Sequence, residues 1–514
     1  MNGAESLLRS LTASGVEVCF GNPGTSEMHF VAALDAVEGM RPILGLFEGV
    51  VTGAADGYAR MAGKPAATLL HLGPGLANGL ANLHNARRAS SPVVNIVGDH
   101  ASTHARFEAP LTSDIKGFAR PVSHWIHSST SALTVGADAA RAVQASMEGA
   151  GQIATLILPA DTAWSPADDV ADALPTPSLA TVSDATIEHI AALARSGVRT
   201  AFLLRGKALQ TRGLEAAGRI ATKTGARLLC DTFAPRLQRG AGRVQVERLP
   251  YFAEQVVEFL AGTELLVLVG SQPPVSFFGY PDKPSWLTPE GSRIAVLAHP
   301  HEDGTAALEA LVQALGAQQS VARVTTRATQ DYVPDGALNG EAIMRSVAKH
   351  LPEHAIIAEE ASLAMGYYGL AEGAAPHDLL TLTGGAIGSM MPVSIGAGIA
   401  CPDRKVVNLQ GDGSAMYTVQ ALWTQARENI DVVTVIYANR SYKILANELK
   451  RVGARTDGAH AASMFDLHNP SLDWVSLAQG MGVEAMRVET ARDFDAVFAQ
   501  AMKRRGPMLI EALI

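Results

Sequence analysis

An aspartate and an asparagine stand 27 positions apart in the last third of this chain, each closing a run of apolar and β-branched residues. Asp412 lies in Gly411-Asp412-Gly413-Ser414, just after Val406-Val407-Asn408-Leu409. Asn439 opens Asn439-Arg440-Ser441-Tyr442, just after Val432–Tyr437. Asp412 offers a carboxylate oxygen, Asn439 an amide oxygen, and a backbone carbonyl near Ser441 a third hard donor. Such a set suits Mg²⁺, which takes octahedral oxygen ligands, few of them from protein, and completes its shell with phosphate oxygens and water. The glycines let backbone N–H groups approach an anion, and the N-terminus of the helix expected next favours its negative charge. A lone Gly-Asp-Gly is a turn. Strand, Gly turn, helix, strand and carbonyl-rich loop in that order point to a site for a phosphorylated cofactor.

Two more groups with chemistry lie in the first third. Glu48 sits in Leu46-Phe47-Glu48-Gly49-Val50, ahead of a helical pattern through Ala54–Arg60. Its apolar neighbours Leu46, Phe47, Val50 and Val51 predict burial, and burial favours the protonated form of a carboxyl. The plainer reading is a glutamate favoured by the dipole in a helix's first turn. His71 follows the run Ala67–Leu70, just before Gly73-Pro74-Gly75. A histidine at a strand end is a competent general acid or base; the plainer reading is a structural, hydrogen-bonded one.

These residues need strands to end where they stand. Strand runs are expected at Glu17–Phe20, Ala67–Leu70, Val93–Val97, Thr155–Leu158, Leu265–Val269, Ile294–Leu297, Leu379–Leu382, Val406–Leu409, Val432–Tyr437 and Met508–Ala512. Ala-rich stretches of helical period, such as Ser26–Val37 and Thr418–Glu428, lie between many of them. This alternation reads as α/β with mostly parallel sheets. Ser165–Ser183 and Gln318–Gly340 have linker composition, dividing the chain into 1–165, 184–317 and 340–514.

Composition narrows the function classes. With 47% apolar and 18% charged residues the chain is a packed globular protein. A net charge of −9 without a long Lys/Arg run gives no purchase for nucleic acid or an anionic membrane surface. Cys19, Cys230 and Cys401 form neither a disulfide framework nor a zinc spacing, so a reducing cytoplasm is expected. The first residues show no secretory signal pattern, and no apolar run is long enough to span a bilayer.

Gly411-Asp412-Gly413 followed by Asn439 resembles the binding motif of thiamine diphosphate (ThDP) enzymes, a GDG closed downstream by one or two asparagines. The pair is Ala438-Asn439 here, and the second, metal-binding asparagine is kept. Glu48 ahead of Ala54-Ala55-Asp56-Gly57-Tyr58-Ala59-Arg60 looks like the pyrimidine-binding domain of those enzymes. Gly21-Asn22-Pro23-Gly24-Thr25-Ser26-Glu27 resembles the opening loop of benzoylformate decarboxylase and acetolactate synthase. The likeness runs on through Gly73-Pro74-Gly75 with Asn78 and through Ser91-Pro92-Val93, and is weakest in the middle third. It implies three doubly wound parallel-sheet domains: pyrimidine-binding (1–165), central (184–317) and diphosphate-binding (340–514).

The resemblance also implies roles. Glu48 would activate thiamine through N1′ of its pyrimidine. Asp412, Asn439 and a Ser441 carbonyl would hold Mg²⁺, with Gly411, Gly413, Ser414 and Tyr442 completing the cofactor cradle. In Gly384-Gly385-Ala386-Ile387-Gly388, Ile387 aligns with a wedge that bends the cofactor, and the Gly385 carbonyl would hold its 4′-amino group. His71 aligns with a proton shuttle of benzoylformate decarboxylase, and Thr25 with a substrate-contacting serine. That enzyme's second histidine aligns near Ser276-Phe277-Phe278, so Phe277 and Phe278 are expected as pocket walls, or simply as core. Ile444 and Leu445, with Tyr442 and Glu448, fall in a segment that caps the site.

Loss of that histidine puts fast protonation of the enamine in doubt. The expected function is therefore a ThDP- and Mg²⁺-dependent decarboxylase/carboligase, acetolactate synthase-like, acting on pyruvate or a similar 2-oxo acid through a C2 carbanion and enamine. No FAD is expected, because 184–317 lacks an Arg-Phe-Asp-Asp-Arg-type segment. Glu48 and Asp412 fall in domains that meet across subunits in the family, which implies a homodimer with a shared site, paired into a homotetramer. The alternatives are a non-ligating, benzoylformate decarboxylase-like enzyme and a catalytically silent ThDP-binding regulatory subunit. A dinucleotide-binding reading fails because no strand is followed by GxGxxG.

Overall fold

A computed structural model describes residues 1–328 and 331–514. Its strands form three sheets. The first contains β1 (Val18–Asn22), β2 (Arg41–Leu44), β3 (Ala66–Leu70), β4 (Val93–Asp99), β5 (Trp125–Ser128) and β6 (Ile153–Pro159), in the order β2-β1-β3-β4-β6-β5. The second holds β7 (Thr200–Leu204) and β8 (Arg227–Cys230), then, past β9 (Leu237–Arg239), β10 (Glu247–Arg248), β11 (Leu265–Val269) and β12 (Arg293–Ala298), in the order β10-β8-β7-β11-β12. The third holds β13 (Ile356–Glu359), β14 (His377–Thr381), β15 (Val406–Gly411), β16 (Val432–Ala438), β17 (Glu484–Val488) and β18 (Met508–Leu513), ordered β17-β18-β16-β15-β13-β14-β9. Named strands pair in parallel everywhere except between β14 and β9.

The strands expected from apolar runs are all present, with ends shifted by a residue or two. β6 and β16 are buried along their whole length, as befits parallel strands covered on both faces. Other strands were not anticipated. β2 contains Pro42, which is tolerated because β2 is an edge strand. β17 is an edge strand with exposed Glu484, Met486 and Arg487. β9 leaves the middle of the chain and extends the third sheet beside β14.

Helices cover the sheets. One core joins the inner face of the first sheet to the third, running from Val18 and Ile157 through Met390 and Ile395 to Ile436 and Leu509. At its centre the helices Glu48–Ala62 and Met390–Ala400 touch backbone to backbone. A Cβ on Gly57 would stand 2.0 Å from the Val393 carbonyl oxygen, and one on Gly396 would stand 1.8 Å from that of Ala54. The second sheet has cores of its own. Among the described residues no helix is long and apolar enough to cross a membrane.

Open parallel sheets bind ligands beyond the C-terminal ends of their strands, where the strand order reverses. In the first sheet that point lies between β1 and β3, whose ends lead to Asn22 and His71. In the third it lies between β13 and β15, whose ends lead to Glu360 and Asp412.

Candidate active site

At the first reversal Glu48 is the opening residue of the helix Glu48–Ala62 and is buried. Its apolar setting is only partial: Leu46 is exposed, and both carboxyl oxygens accept amide N–H bonds. Asn22 donates to Oε1 at 3.1 Å and Asn78 to Oε2 at 2.9 Å. Gly75 faces the same carboxyl, 3.5 Å from where its Cβ would be. The carboxyl is thus held by two side chains from other elements, the end of β1 and the second turn of the helix Leu72–Ala89, with its orientation fixed.

His71 caps the helix Leu72–Ala89, and Gly73-Pro74-Gly75 form that helix's first turn. Leu72 takes a positive φ of 49°, a costly conformation for a branched side chain and one typical of functional corners. The His71 imidazole is directed by a residue that the sequence reading passed over. Glu27, whose side chain is fully buried, meets His71 Nδ1 at 2.8 Å. Glu27 is itself held by the Gly24 N–H at 2.7 Å and by the Ser26 hydroxyl. Gly24 lies flat against the imidazole, since a Cβ there would come 2.3 Å from its ring atoms. The only signal for this in the sequence is an acidic residue among the small polar ones of Gly24–Glu27. Thr25 opens the same turn with an exposed side chain.

At the second reversal Asp412 and Asn439 end adjacent strands, with Gly411 opposite Tyr437 in the β15–β16 register. Asp412 is buried, and burial pushes its carboxyl above the ordinary range, opposed by N–H bonds from Arg440 and Gly413. The Arg440 bond, at 2.6 Å, ties the two loops together. Asn439 Oδ1 accepts the Ser441 N–H at 2.9 Å, and Arg440 has a positive φ of 52°. The long helix expected after Asp412 is broken: a turn over Asp412–Ala415, a 3₁₀ turn over Met416–Thr418, then Ala421–Arg427. Tyr442 lays its ring against Gly413, whose Cβ would meet it at 2.4 Å, and Ser414 Oγ donates to the Gly411 carbonyl at 3.1 Å.

Among the described residues no three His, Cys, Asp or Glu side chains gather as a metal site. The donors at the ends of β15 and β16 are one carboxylate with amide and carbonyl oxygens beside it, which fits Mg²⁺ shared with a phosphate rather than Zn²⁺. The loop with Gly385 and Ile387 runs past this site. Gly385 and Gly388 take positive φ values of 80° and 85°, and Ile387 is half-buried between them. Glu360, also absent from the sequence reading, binds this loop's far end; an acidic pair directly after the apolar run Ile356–Ala358 was the available signal.

Phe277 and Phe278 are surface rings, not core, 47% and 58% exposed. Phe277 stacks on Tyr251 and meets Phe233 edge-on. This aromatic patch adjoins the helix Lys443–Arg451, which carries half-buried Ile444 and exposed Leu445. Arg451 pairs with Glu254 at 2.6 Å and lies over the Phe252 ring. Among the described residues no hydrogen bond joins Thr25, Glu48 or His71 to the Asp412–Tyr442 segment.

Residues 1–122 match the N-terminal TPP-binding domain of thiamine pyrophosphate enzymes, and residues 363–512 match the C-terminal one. The chain belongs to the thiamine pyrophosphate enzyme family. It is 51% identical to a Mycobacterium tuberculosis protein named "Putative acetolactate synthase large subunit IlvX", covering 100% of this chain and 99% of that one. It is 29% identical to benzoylformate decarboxylase of Pseudomonas aeruginosa over 98% and 96% of the two chains. The Rhodococcus jostii ThDP-dependent 4-hydroxybenzoylformate decarboxylase shares the fold, with a TM-score of 0.84, 24% identity, and 99% and 98% coverage. The chain is therefore a ThDP-dependent enzyme related to acetolactate synthases and 2-oxo acid decarboxylases.

Proposed function

We propose that this ThDP enzyme is a Mg²⁺-dependent decarboxylase and carboligase of the acetolactate synthase type, acting on pyruvate or a similar 2-oxo acid. Bound ThDP supplies the electron sink that lets CO₂ leave a 2-oxo acid. The chain's own residues do the rest. Asp412, Asn439 and the Ser441 carbonyl hold the metal, and Gly411, Gly413, Ser414 and Tyr442 shape the diphosphate cradle. Glu48, oriented by Asn22 and Asn78, holds or gives a proton at its carboxyl oxygens toward the pyrimidine. Gly385 and Ile387 seat the cofactor. His71, with Nδ1 engaged by Glu27, moves a proton at Nε2.

The observation that carries carboligation is the aromatic patch of Phe277, Tyr251 and Phe233, which contains no histidine. Phe277 and Phe278 stand where a second proton-donating histidine would be expected and have no proton to give, which favours a second carbonyl over a proton as acceptor. The name borne by the 51% identical relative points the same way. Glu48 and Asp412 stand at the reversals of two different sheets, which supports a homodimer sharing each site, paired into a tetramer. The proposed units are 1–165, 184–317 and 340–514, with β9 crossing to the last, and no flavin is assigned. The free cysteines, with burial pushing the Cys19 and Cys230 thiols up to about 12, suit a reducing cytoplasm.

The test is the purified chain with ThDP, Mg²⁺ and pyruvate, assayed for CO₂, acetolactate, acetoin and acetaldehyde. Acetolactate or acetoin is expected. Acetaldehyde alone would replace this reading with a second one, a benzoylformate decarboxylase-like enzyme, which the Glu27–His71 pair favours because it keeps a proton shuttle in place. ThDP bound without any product would remove pyruvate.

The pair makes its own prediction. Glu27→Gln and His71→Ala should each slow turnover by about tenfold to a hundredfold, as loss of an orienting partner or of an acid/base does. The double variant should be no slower than His71→Ala. Additive losses in this cycle would show that Glu27 does not act through His71.

A further inference from the structure

The loop that carries Gly385 and Ile387 is gripped from two sides by residues outside the cofactor motifs. Asn85 is fully buried in the helix Leu72–Ala89. Its Nδ2 donates to the Ala386 carbonyl at 2.8 Å, and its Oδ1 accepts the Ala386 N–H at 3.2 Å. One side-chain amide thus pairs with both polar groups of one backbone residue. There is no slack, because a Cβ on Gly384 would stand 2.5 Å from Asn85 Oδ1. The neighbouring His84 meets the Gly384 carbonyl through Nε2 at 3.0 Å, and the Thr383 hydroxyl donates to the Asn85 carbonyl at 2.7 Å.

The second grip is Glu360, buried just beyond β13. Its Oε1 accepts the Gly388 N–H, and its Oε2 accepts those of Ser389 and Met390 at 2.9 Å each. These amides form the N-terminus of the helix Met390–Ala400, which favours a negative charge there. Charge-assisted bonds of this kind are the stronger class. Thr418 Oγ1 adds a bond to the Gly388 carbonyl at 2.6 Å. Asn85 therefore fixes residue 386, Glu360 fixes residues 388–390, and Ile387 lies between the two.

We propose that Asn85 and Glu360 are positioning residues that lock the backbone on both sides of Ile387, setting the height of its side chain and the direction of the Gly385 carbonyl. This rests on the cofactor-seating role given above to Gly385 and Ile387. The loop needs such a lock because two glycines at positive φ leave it little rigidity of its own. Asn85 belongs to the first sheet's helices and Glu360 to the third sheet, so the seat is built by both halves of one chain. Its effect is on turnover: diphosphate and metal contacts lie elsewhere, so cofactor still binds when the seat is loose.

Hydrogen–deuterium exchange of the cofactor-free protein tests this first in the unaltered chain. The amides of Gly388, Ser389 and Met390 should be protected, and free exchange there would overturn the proposal without any variant. Asn85→Asp keeps an acceptor for the Ala386 N–H but sets a carboxylate oxygen against its carbonyl. Glu360→Gln keeps the shape but turns an NH₂ toward backbone N–H groups. Exchange over 384–390 should rise about tenfold or more in each, as loss of a buried bond implies, with β4 and β16 unchanged. ThDP with Mg²⁺ should bind within about threefold of the parent, since ~0.6 kcal/mol separates such affinities. The near-ultraviolet circular dichroism of bound ThDP should change, and kcat should fall with KM little altered. Parent-like exchange and dichroism in both variants would overturn the proposal alone; failure of the parent chain to bind ThDP would overturn it together with the cofactor reading.

Discussion

Glu48→Gln lowers product formation by about two to four orders of magnitude, the range for losing a positioned acid or base, while ThDP continues to bind. The substitution preserves side-chain length and hydrogen-bonding capacity. Asn22 and Asn78 both remain in place, and one of them must reverse its amide to meet the new NH₂. What is lost is the exchangeable proton at a buried carboxyl on the first helical residue after β2. A helix-dipole role would predict something different, a loss of a few tenths to one kcal/mol in stability with turnover intact. Initial rates of CO₂ release, measured beside the midpoint of denaturant unfolding and the affinity for ThDP, separate the two. A rate within tenfold of the parent at saturating ThDP would refute the activating role.

Asp412→Ala abolishes Mg²⁺-supported ThDP binding by about a hundredfold or more, because outer-sphere partners of a metal alone typically account for tenfold to a hundredfold. The carboxylate does two jobs in the structure. It is the one charged donor at the ends of β15 and β16, and through the Arg440 N–H at 2.6 Å it holds the Asn439 loop against its own. Asp412→Asn separates these jobs, since an amide oxygen can still accept the Arg440 N–H but brings no charge. Titration of ThDP at several Mg²⁺ concentrations reads both variants. The expected order is Asp412→Ala weaker than Asp412→Asn, and both far weaker than the parent. Equal affinity in Asp412→Asn and the parent would assign Asp412 to the loop tie alone.

The parallel sheets and the two ends of the cofactor site were legible because they depend on patterns that sequence displays directly. Apolar runs such as Val432–Tyr437 mark strands buried on both faces, and Asp412, Asn439 and His71 fall where those runs stop. The partners of these groups were not legible. Glu27, Asn85 and Glu360 act through hydrogen bonds to residues 44, 301 and 28 to 30 positions away, and hydrophobic periodicity carries no information about such pairings. The break in the helix after Asp412 was hidden for a related reason: Met416, Val419 and Leu422 keep a helical period whether or not the backbone turns tighten between them. β9 escaped notice because three residues with an arginine at the end have no strand signature until β14 offers an edge. Phe277 and Phe278 left two readings open, wall or core, and only their exposure closes the second.

The close backbone approach at Gly57 and at Gly396 bears on how this chain can be taken apart. Two helices that meet without side chains between them cannot part slightly; they are docked or separated. Because the first and third sheets share the core around them, those two sheets melt as one cooperative unit, although nearly two hundred residues of sequence lie between them. A fragment ending before the second sheet would expose half of that core and is not an autonomous module. The second sheet has apolar clusters of its own, but its chain segment lends β9 to the third sheet and pairs its buried Arg248 with Glu359 of β13, so it cannot be cut out cleanly either.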